Sequence, residues 1–254
     1  MSGINGIPGG RRGQVWPSTG VGSRPAAIVR PEPFAMRAVA AAGFLLDAAS
    51  RRRGGRMVAW ALVIALAAGG AGLLGYPFAT NVWAGRIQGR LGAEFKAMQT
   101  QSPQAFRRTI VEGDALTRLE IPRLRVKVIV VEGISGNGLR AGVGHYPSTA
   151  LPGDPTGNIA IAGHRTGFGE PFRHLERMRQ GDKIILTTPF GRFVYEVMGP
   201  FDGHSNPWIT EPTDWSVISP TPEPSLTLTT CDPPRTTKNR LIVRAALVDK
   251  EMFG

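Results

Sequence analysis

The feature that most restricts this chain is a run of twenty-nine residues without a charge, Met57–Gly85. Its first part, Met57–Gly75, is almost entirely apolar. A helix rises about 1.5 Å per residue, so roughly 20 apolar residues cross a bilayer core of about 30 Å. The alternative, a helix buried in a protein core, normally carries polar residues that interrupt the run. We therefore predict a single transmembrane helix over residues 57–79.

The charges on either side of this run predict its orientation. The chain has 30 Lys+Arg against 19 Asp+Glu, and its net charge is +11. Residues 1–56 hold nine arginines against Glu32 and Asp47, a net +7 that leaves +4 for the other 198 residues. The first charge after the run is Arg86. Because positively charged flanks stay in the cytoplasm, we expect residues 1–56 inside the cell and residues 86–254 outside it.

A cleaved signal peptide would also explain an apolar run near the N-terminus. However, the 56 residues before the run are too many for the charged segment of a signal peptide, and no clear small-x-small cleavage site follows. This basic tail is rich in Gly, Pro and Arg, so we expect residues 1–56 to be cytoplasmic and mostly disordered. Residues 34–49 would suit a short apolar helix on the inner leaflet, or no structure at all.

Beyond the run, residues 80–114 are predicted to form an extracellular stalk or linker, with a helical patch around Arg90–Met98. From Ala115 onward, short β-rich runs alternate with Gly, Pro, Asn and Asp, as in strands joined by turns. A helical turn is expected over residues 170–178. The absence of a βαβ rhythm in residues 115–254 favours an all-β fold, a small closed β-barrel, because closure removes exposed strand edges. The predicted strands are residues 117–121, 126–131, 157–162, 183–188, 192–198, 226–231 and 241–248, with a weaker candidate at 142–146.

The chain has one cysteine, Cys231, which excludes an internal disulfide and any zinc site built from several cysteines. It belongs to one of three segments that each place a reactive side chain at a strand boundary. The other two are residues 158–166, with His164, and residues 239–243, with Arg240. If the last two strands are antiparallel neighbours, hairpin geometry brings Cys231 next to Arg240. His164 reaches them only through tertiary structure.

These residue types suit nucleophilic catalysis by a thiol. A thiolate attacks a carbonyl carbon, a general acid protonates the leaving amine, and a donor stabilises the oxyanion. Cys231, His164 and Arg240 would supply these functions in that order. Each also has a structural explanation: a small buried apolar residue, a core histidine and a surface arginine. Because thiols have a pKa near about 8.5 and imidazoles near about 6.5, the uncharged pair is expected to dominate at neutral pH.

Together, the three segments resemble the sortases, the membrane-anchored cysteine transpeptidases of Gram-positive bacteria. The resemblance implies an eight-stranded β-barrel as the catalytic domain, residues 115–254, with His164, Cys231 and Arg240 as its catalytic residues. The tail matches no feature of the family. The motifs that carry the resemblance are AGHRT at 162–166, TLTTC at 227–231 and NRLIV at 239–243. The class E branch is further indicated by IPR at 121–123, VEG at 131–133, GVGHYP at 142–147, and Pro152-Gly153 before Gly157-Asn158.

The resemblance also implies a reaction and its partners. Sortases cleave an LPxTG-type sorting signal between Thr and Gly, hold the acyl group as a thioester on the cysteine, and transfer it to an amine of a cell-wall precursor. Class E members are associated with an LAxTG-like signal. The expected partners are exported proteins with such a C-terminal signal, a peptidoglycan precursor amine and the lipid bilayer, and no nucleic acid. No cofactor or metal is expected, since the sequence offers no carboxylate cluster for calcium.

Three other histidines and two other functions remain as alternatives. His174 and His204 are expected in solvated turns or loops, and His145 is expected to be structural or to line the substrate site. An L,D-transpeptidase-like enzyme also uses Cys and His, but it requires a Ser-x-Gly-Cys segment, whereas two threonines precede Cys231. A non-catalytic, membrane-anchored binding module would tolerate the loss of Cys231.

Overall fold

The computed structural model describes Gly43, residues 53–98 and residues 103–253. The predictions for the tail before Arg53 lie outside the described residues, apart from Gly43. The chain divides into two compact units, residues 1–64 and residues 65–254, and the boundary falls inside the first helix. All strands, the core and the candidate site belong to the second unit.

The first helix, α1, runs from Arg53 to Ala97 without a break and contains Pro77. Within the predicted span its large apolar side chains are exposed: Leu73 and Leu74 are 78% and 82% accessible. This exposure contradicts the alternative of a buried core helix. Among the described residues, α1 is the one helix that is long and apolar enough to cross a membrane.

Among the residues that the structure describes, nine strands and two short helices follow α1, and eight of the strands form a closed β-barrel. Hydrogen bonding runs in the order β6-β5-β1-β2-β3-β4-β8-β9, and β9 pairs again with β6, which confirms the predicted architecture. The strands are β1 (Ala115–Ile121), β2 (Val126–Glu132), β3 (Val143–His145), β4 (Asn158–Gly163), β5 (Lys183–Thr188), β6 (Gly191–Val197), β7 (Trp208–Thr210), β8 (Ser225–Asp232) and β9 (Asn239–Met252). The helices are α2 (Pro103–Thr109) and α3 (Gly136–Leu139).

Closure depends on the length of β9, which has 14 residues. On one side, its first half pairs antiparallel with β8. On the other side, residues 240–242 pair with β7 and residues 245–252 pair with β6. β7 is therefore an additional strand on the barrel wall, beside the first residues of β9.

The barrel interior is filled by apolar side chains, and all eight barrel strands contribute to it. Tyr195, Phe172 and Phe193 are among the largest fully buried side chains. A separate cluster forms around β7, where Trp208, Val217 and Ile242 pack together.

The end of α1 packs against this barrel, where the sequence predicted a stalk. Ala84, Leu91 and Phe95 are buried there, and their spacing of seven and four residues places them on one face of the helix. The helical patch expected around Arg90–Met98 is the last part of the same continuous helix. The partition of residues 57–114 into span and stalk stays a prediction.

Gln88 joins α1 to the sheet through backbone groups. Its amide nitrogen donates to the carbonyls of Ile129, at 2.9 Å, and Ala141, at 2.8 Å, and its amide oxygen accepts from the Ile129 N–H at 2.7 Å. β2 pairs with β3 only at Val131 and Glu132, so Ile129 lies beyond the end of that ladder. The Gln88 side chain therefore satisfies backbone groups that the strand pairing leaves open.

The predicted strands lie within two residues of the observed ones, except that β9 extends farther and β7 has no predicted counterpart. The helical turn expected over residues 170–178 shrinks to a 3-10 turn at Leu175–Arg177. Glu170 has a φ of +49°, so a right-handed helix cannot begin there. Phe172 and Leu175 are both buried in the core, and their three-residue separation fits a 3-10 turn.

The side chains of His145 and Glu132 form a buried hydrogen bond inside the barrel wall. The fully buried His145 ring places Nδ1 2.8 Å from Glu132 Oε2, and its Nε2 lies 3.0 Å from the Ala150 carbonyl and 2.9 Å from Thr149 Oγ1. The Thr149 hydroxyl donates to another carbonyl, that of Tyr146. The ring is therefore held on both sides, by a carboxylate at Nδ1 and by a carbonyl and a hydroxyl at Nε2. These contacts give His145 a structural role.

We expect His145→Ala to lower the free energy of unfolding by about 3–5 kcal/mol, because it leaves the buried Glu132 carboxylate without its partner. Urea unfolding of the full-length protein in detergent, followed by tryptophan fluorescence, measures the loss. Lys127→Ala is the control: it breaks an exposed pair with Glu120, at 3.1 Å, and should cost less than about 1 kcal/mol. Equal losses in the two variants would contradict a stabilising role of the buried contact between His145 and Glu132.

Candidate active site

Strand pairing brings the three predicted catalytic residues to one end of the barrel. His164 directly follows β4, and Cys231 is the last residue but one of β8. β4 and β8 are parallel neighbours, with Ala162 opposite Thr229, so their carboxyl ends lie at the same edge. β8 and β9 are antiparallel, and Cys231 is the register partner of Arg240, as the hairpin argument predicts.

His164 and Cys231 line the same open cavity, which has a volume of about 670 Å³. Cys231 is partly exposed, so its thiol can be reached from solvent. The other lining residues come from the loops after β4 and β8 and carry three positive charges. They are Arg165, Thr166, Arg235, Thr236, Thr237 and Lys238.

Arg240 lies beside Cys231, but its guanidinium group is engaged with the loop between β8 and β9. Side chains of register partners project from the same face of a sheet, so Arg240 and Cys231 share the face. In this structure the Nη1 of Arg240 donates to the carbonyls of Thr237, at 3.3 Å, and Asn239, at 3.1 Å. Arg240 is not among the residues that line the cavity.

The His164 ring is half-buried and neutral. It stacks on Phe168, with the ring centroids 5.0 Å apart and the planes 27° from parallel. Burial lowers the pKa of His164 below its ordinary value of 6.5, and a backbone hydrogen bond with Leu139 opposes part of this shift. At neutral pH the imidazole can therefore accept a proton.

Arg165 connects the end of β4 to the end of β8. It is buried, with 7% of its surface accessible. Its Nη1 donates to the Asp232 carboxylate and, at 3.2 Å, to the Cys231 carbonyl, while Nη2 donates to Glu176 at 3.1 Å. The sequence pattern alone gives no role to this arginine, although Arg165 belongs to the AGHRT motif and Asp232 directly follows Cys231.

Two further contacts fix the same strand ends. The Thr230 hydroxyl donates to the Gly163 carbonyl at 2.8 Å, which links the residues just before Cys231 and His164. The φ of Gly163 is not in the left-handed region, so a backbone turn does not require glycine there. A Cβ at this position would lie 2.4 Å from the Phe172 ring, so close packing is what requires glycine.

The other histidines do not line the cavity of Cys231. His145 is held in the barrel wall, as described above. His174 is 45% exposed and lies 3.6 Å from Glu176. His204 stacks on Trp208 with the ring centroids 5.7 Å apart. Within the described residues, no cluster of three or more His, Cys, Asp or Glu side chains could hold a metal ion.

Comparison with known proteins identifies the domain. A family model described as the sortase domain matches residues 119–248. The chain is 36% identical over 164 residues to Sortase SrtE1 of Streptomyces coelicolor, a match that covers 59% of this chain and 44% of that protein. It is 34% identical over 122 residues to Sortase D of Bacillus subtilis, covering 48% of this chain and 56% of that protein. The chain thus spans about half the length of the curated relatives it matches.

Solved structures agree with these relatives. A Clostridium perfringens Sortase D5 transpeptidase aligns with a TM-score of 0.56 and 29% identity, over 65% of this chain and 99% of that chain. The SrtF sortase of Corynebacterium diphtheriae aligns with a TM-score of 0.53 and 32% identity, over 57% of this chain and 90% of that chain. The relatives SrtE1 and SrtE2 of Streptomyces coelicolor carry class E names, which confirms the class E resemblance. Because the sortase-domain model covers more than half of its residues, this chain belongs to the sortase family.

Proposed function

We propose that this protein is a membrane-anchored cysteine transpeptidase whose nucleophile is Cys231. The observation that supports the proposal most strongly is the shared cavity, which is lined by both Cys231 and His164. Arg240 is the strand neighbour of Cys231 on β9. Acyl transfer through a thiol needs a nucleophile, a proton carrier and a donor that stabilises the oxyanion. The three residues could supply these functions, in agreement with membership of the sortase family.

The proposed reaction has two steps. In the first, the Cys231 thiolate attacks the Thr carbonyl of a sorting signal, and the Thr–Gly bond breaks as His164 gives a proton to the Gly amine. The acyl group remains on Cys231 as a thioester. In the second, the amine of a peptidoglycan precursor attacks the thioester, His164 takes a proton from that amine, and the Cys231 sulfur leaves.

Arg240 would stabilise the oxyanion or hold the substrate backbone during both steps. Its Nη1 donates to the backbone carbonyls of Thr237, at 3.3 Å, and Asn239, at 3.1 Å. A bound substrate could replace these hydrogen bonds. The positive charges of Arg165, Arg235 and Lys238 line the same cavity, where negative charge develops on the carbonyl oxygen.

The neutral state of His164 affects how the two steps start. Since burial lowers the pKa of His164, its imidazole is uncharged at neutral pH. Proton transfer from Cys231 to His164 then produces the thiolate and, at the same time, the general acid that the first step needs.

The substrate and topology complete the proposal. Substrates would be exported proteins with a C-terminal LPxTG-like or LAxTG-like signal, and residues 57–79 would anchor the enzyme with its N-terminus in the cytoplasm. Enzyme and substrate would then meet on the outer face of the cell membrane. α1 supports the anchoring by its length and exposed apolar surface.

The nucleophile is tested by incubating the full-length protein in detergent with LPxTG and LAxTG peptides and an amine. We expect mass spectrometry to detect the amine-linked peptide and, before the amine is added, an acyl group on Cys231. Cys231→Ala should give neither product, because the chain has no other thiol. Turnover by folded Cys231→Ala would refute the assignment.

The roles of the other two residues are distinguished by rate. His164→Ala should slow both acylation and transfer by about 10²–10⁴-fold, since both steps move a proton. Arg240→Ala should cost about 10²–10³-fold, and Arg240→Lys should stay impaired because it keeps the charge but loses the planar donor group. His174→Ala, which changes an exposed ring outside the cavity, is the control and should keep its activity. A dead His174→Ala beside an active His164→Ala would mean that the wrong histidine has been chosen.

The topology is tested with protease on intact protoplasts. We expect residues 86–254 to be released while an epitope in residues 1–56 survives, because the nine arginines before the span hold the tail in the cytoplasm. Permeabilised protoplasts, which should lose both parts, are the control. Loss of the tail epitope from intact protoplasts would reverse the orientation.

A further inference from the structure

The loop that follows His164 has a costly backbone conformation. Gly167, Phe168, Gly169 and Glu170 have φ values of +71°, +49°, +82° and +49°. At positive φ a side chain crowds the neighbouring carbonyl oxygen, so Phe168 and Glu170 are strained here while the glycines are not. Contacts from outside the loop must therefore help to hold it.

Two of these contacts come from α1. The Gly169 N–H donates to Asn81 Oδ1 at 2.9 Å. The Phe168 ring packs on the Trp83 ring, with the centroids 6.2 Å apart and the planes 56° from parallel. The two backbones also approach closely, since a Cβ at Gly169 would lie 3.9 Å from the Cβ of Ala84.

The contacts continue from the loop to the catalytic site. The Phe168 ring that meets Trp83 also stacks on the His164 imidazole, at 5.0 Å between centroids. Trp83 is held in turn by the Arg140 guanidinium, which lies 5.6 Å from its ring centroid. A continuous series of contacts thus connects α1 to His164.

This series of contacts begins at two residues of α1. Asn81 and Trp83 are a polar and a large aromatic residue at the end of the uncharged run, directly after the predicted span 57–79. We propose that Asn81 and Trp83 are positioning residues for catalysis, which order residues 166–170 and thereby fix the His164 ring against Phe168. The inference rests on the proposed role of His164 as the proton carrier.

Kinetics of the full-length protein in detergent provide the first test. Asn81→Leu replaces the side chain that accepts from the Gly169 N–H with an apolar side chain of similar size. Asn81→Asp keeps an oxygen acceptor at that position. We expect Asn81→Leu to lower kcat by about 10–100-fold with KM for the sorting peptide unchanged, since small displacements of a catalytic group have effects of this order. Asn81→Asp should recover most of the rate. Val82→Ala, an exposed neighbour, should match the wild type.

The second test follows the His164 imidazole by NMR in the inactive Cys231→Ala background, where its signal is assigned by comparison with His164→Gln. Removal of the aromatic cover by Trp83→Ala or Phe168→Ala should raise the titration midpoint toward about 6.5, the value of a free imidazole. Trp83→Phe, which keeps a ring, should restore the lower midpoint. The other charged or titratable residues of the cavity that His164 lines are Cys231 in the active protein, Arg165, Arg235 and Lys238, and none of them is substituted in the loop and helix variants.

The two tests separate this inference from the proposed function. If wild-type protein is active and Asn81→Leu behaves like Val82→Ala, the positioning role is wrong even though the function stands. If the wild type turns over no peptide, the function fails, and the NMR midpoints still decide whether α1 sets the environment of His164. An unchanged midpoint in Phe168→Ala would overturn the inference. Should Trp83→Ala not fold, Asn81→Leu decides alone, because it removes one hydrogen bond of an exposed side chain.

Discussion

Strand β8 must pair with β4 on one side and β9 on the other before any catalytic site exists. The parallel ladder places Ala162 opposite Thr229, and the antiparallel ladder places Cys231 opposite Arg240. A shift of one residue in either ladder would turn Cys231 to the opposite face of the sheet. Because the barrel is closed by β9 pairing with β6, neither ladder can slip without disrupting the pairing at the far side. Closure of the barrel therefore fixes the geometry of the site.

The ladder between β4 and β8 stops short of His164 and Cys231, and side chains bridge the remaining gap. The last paired residues of β4 and β8 are Ala162 and Thr229, two positions before His164 and Cys231. Beyond that point, Thr230 bonds to the Gly163 carbonyl, and Arg165 bonds to the Cys231 carbonyl and the Asp232 carboxylate. Hydrogen bonds to charged groups are stronger than neutral ones. The buried Arg165 thus extends the rigidity of the sheet to His164 and Cys231, the two residues proposed to exchange a proton.

The sequence predicted those parts of the structure that depend on local pattern. The alternating runs gave eight strands, and hairpin spacing placed Cys231 beside Arg240. It could not predict β7, because three residues carry too little pattern and this strand depends on the edge of β9. The sequence also could not predict which surface packs against α1. The spacing of Ala84, Leu91 and Phe95 indicates that one face of the helix is buried, but it does not identify the surface that buries this face. The contact between Trp83 and Phe168 joins residues far apart in the chain, and only the tertiary fold provides it.

The docking of α1 changes the expected relation between anchor and active site. A flexible stalk would hold the site at a variable height above the lipid, whereas Gln88, Leu91 and Phe95 attach the helix directly to the barrel. Asn81, which contacts the loop of His164, follows the proposed span 57–79 by two residues, or about 3 Å along the helix axis.

A second cavity, of about 700 Å³, extends this connection. Its walls include Tyr76 and Pro77 of α1 and also Arg165 and Arg235, which line the cavity of Cys231 as well. Residues near the outer end of the apolar run and residues beside the thiol therefore share one surface. With residues 57–79 in the bilayer, as proposed, Cys231 would work close to the membrane surface, where the enzyme would meet an exported substrate. Fixing the site at that depth would confine the encounter to two dimensions and would make the position of α1 a determinant of which substrates can reach the thiol.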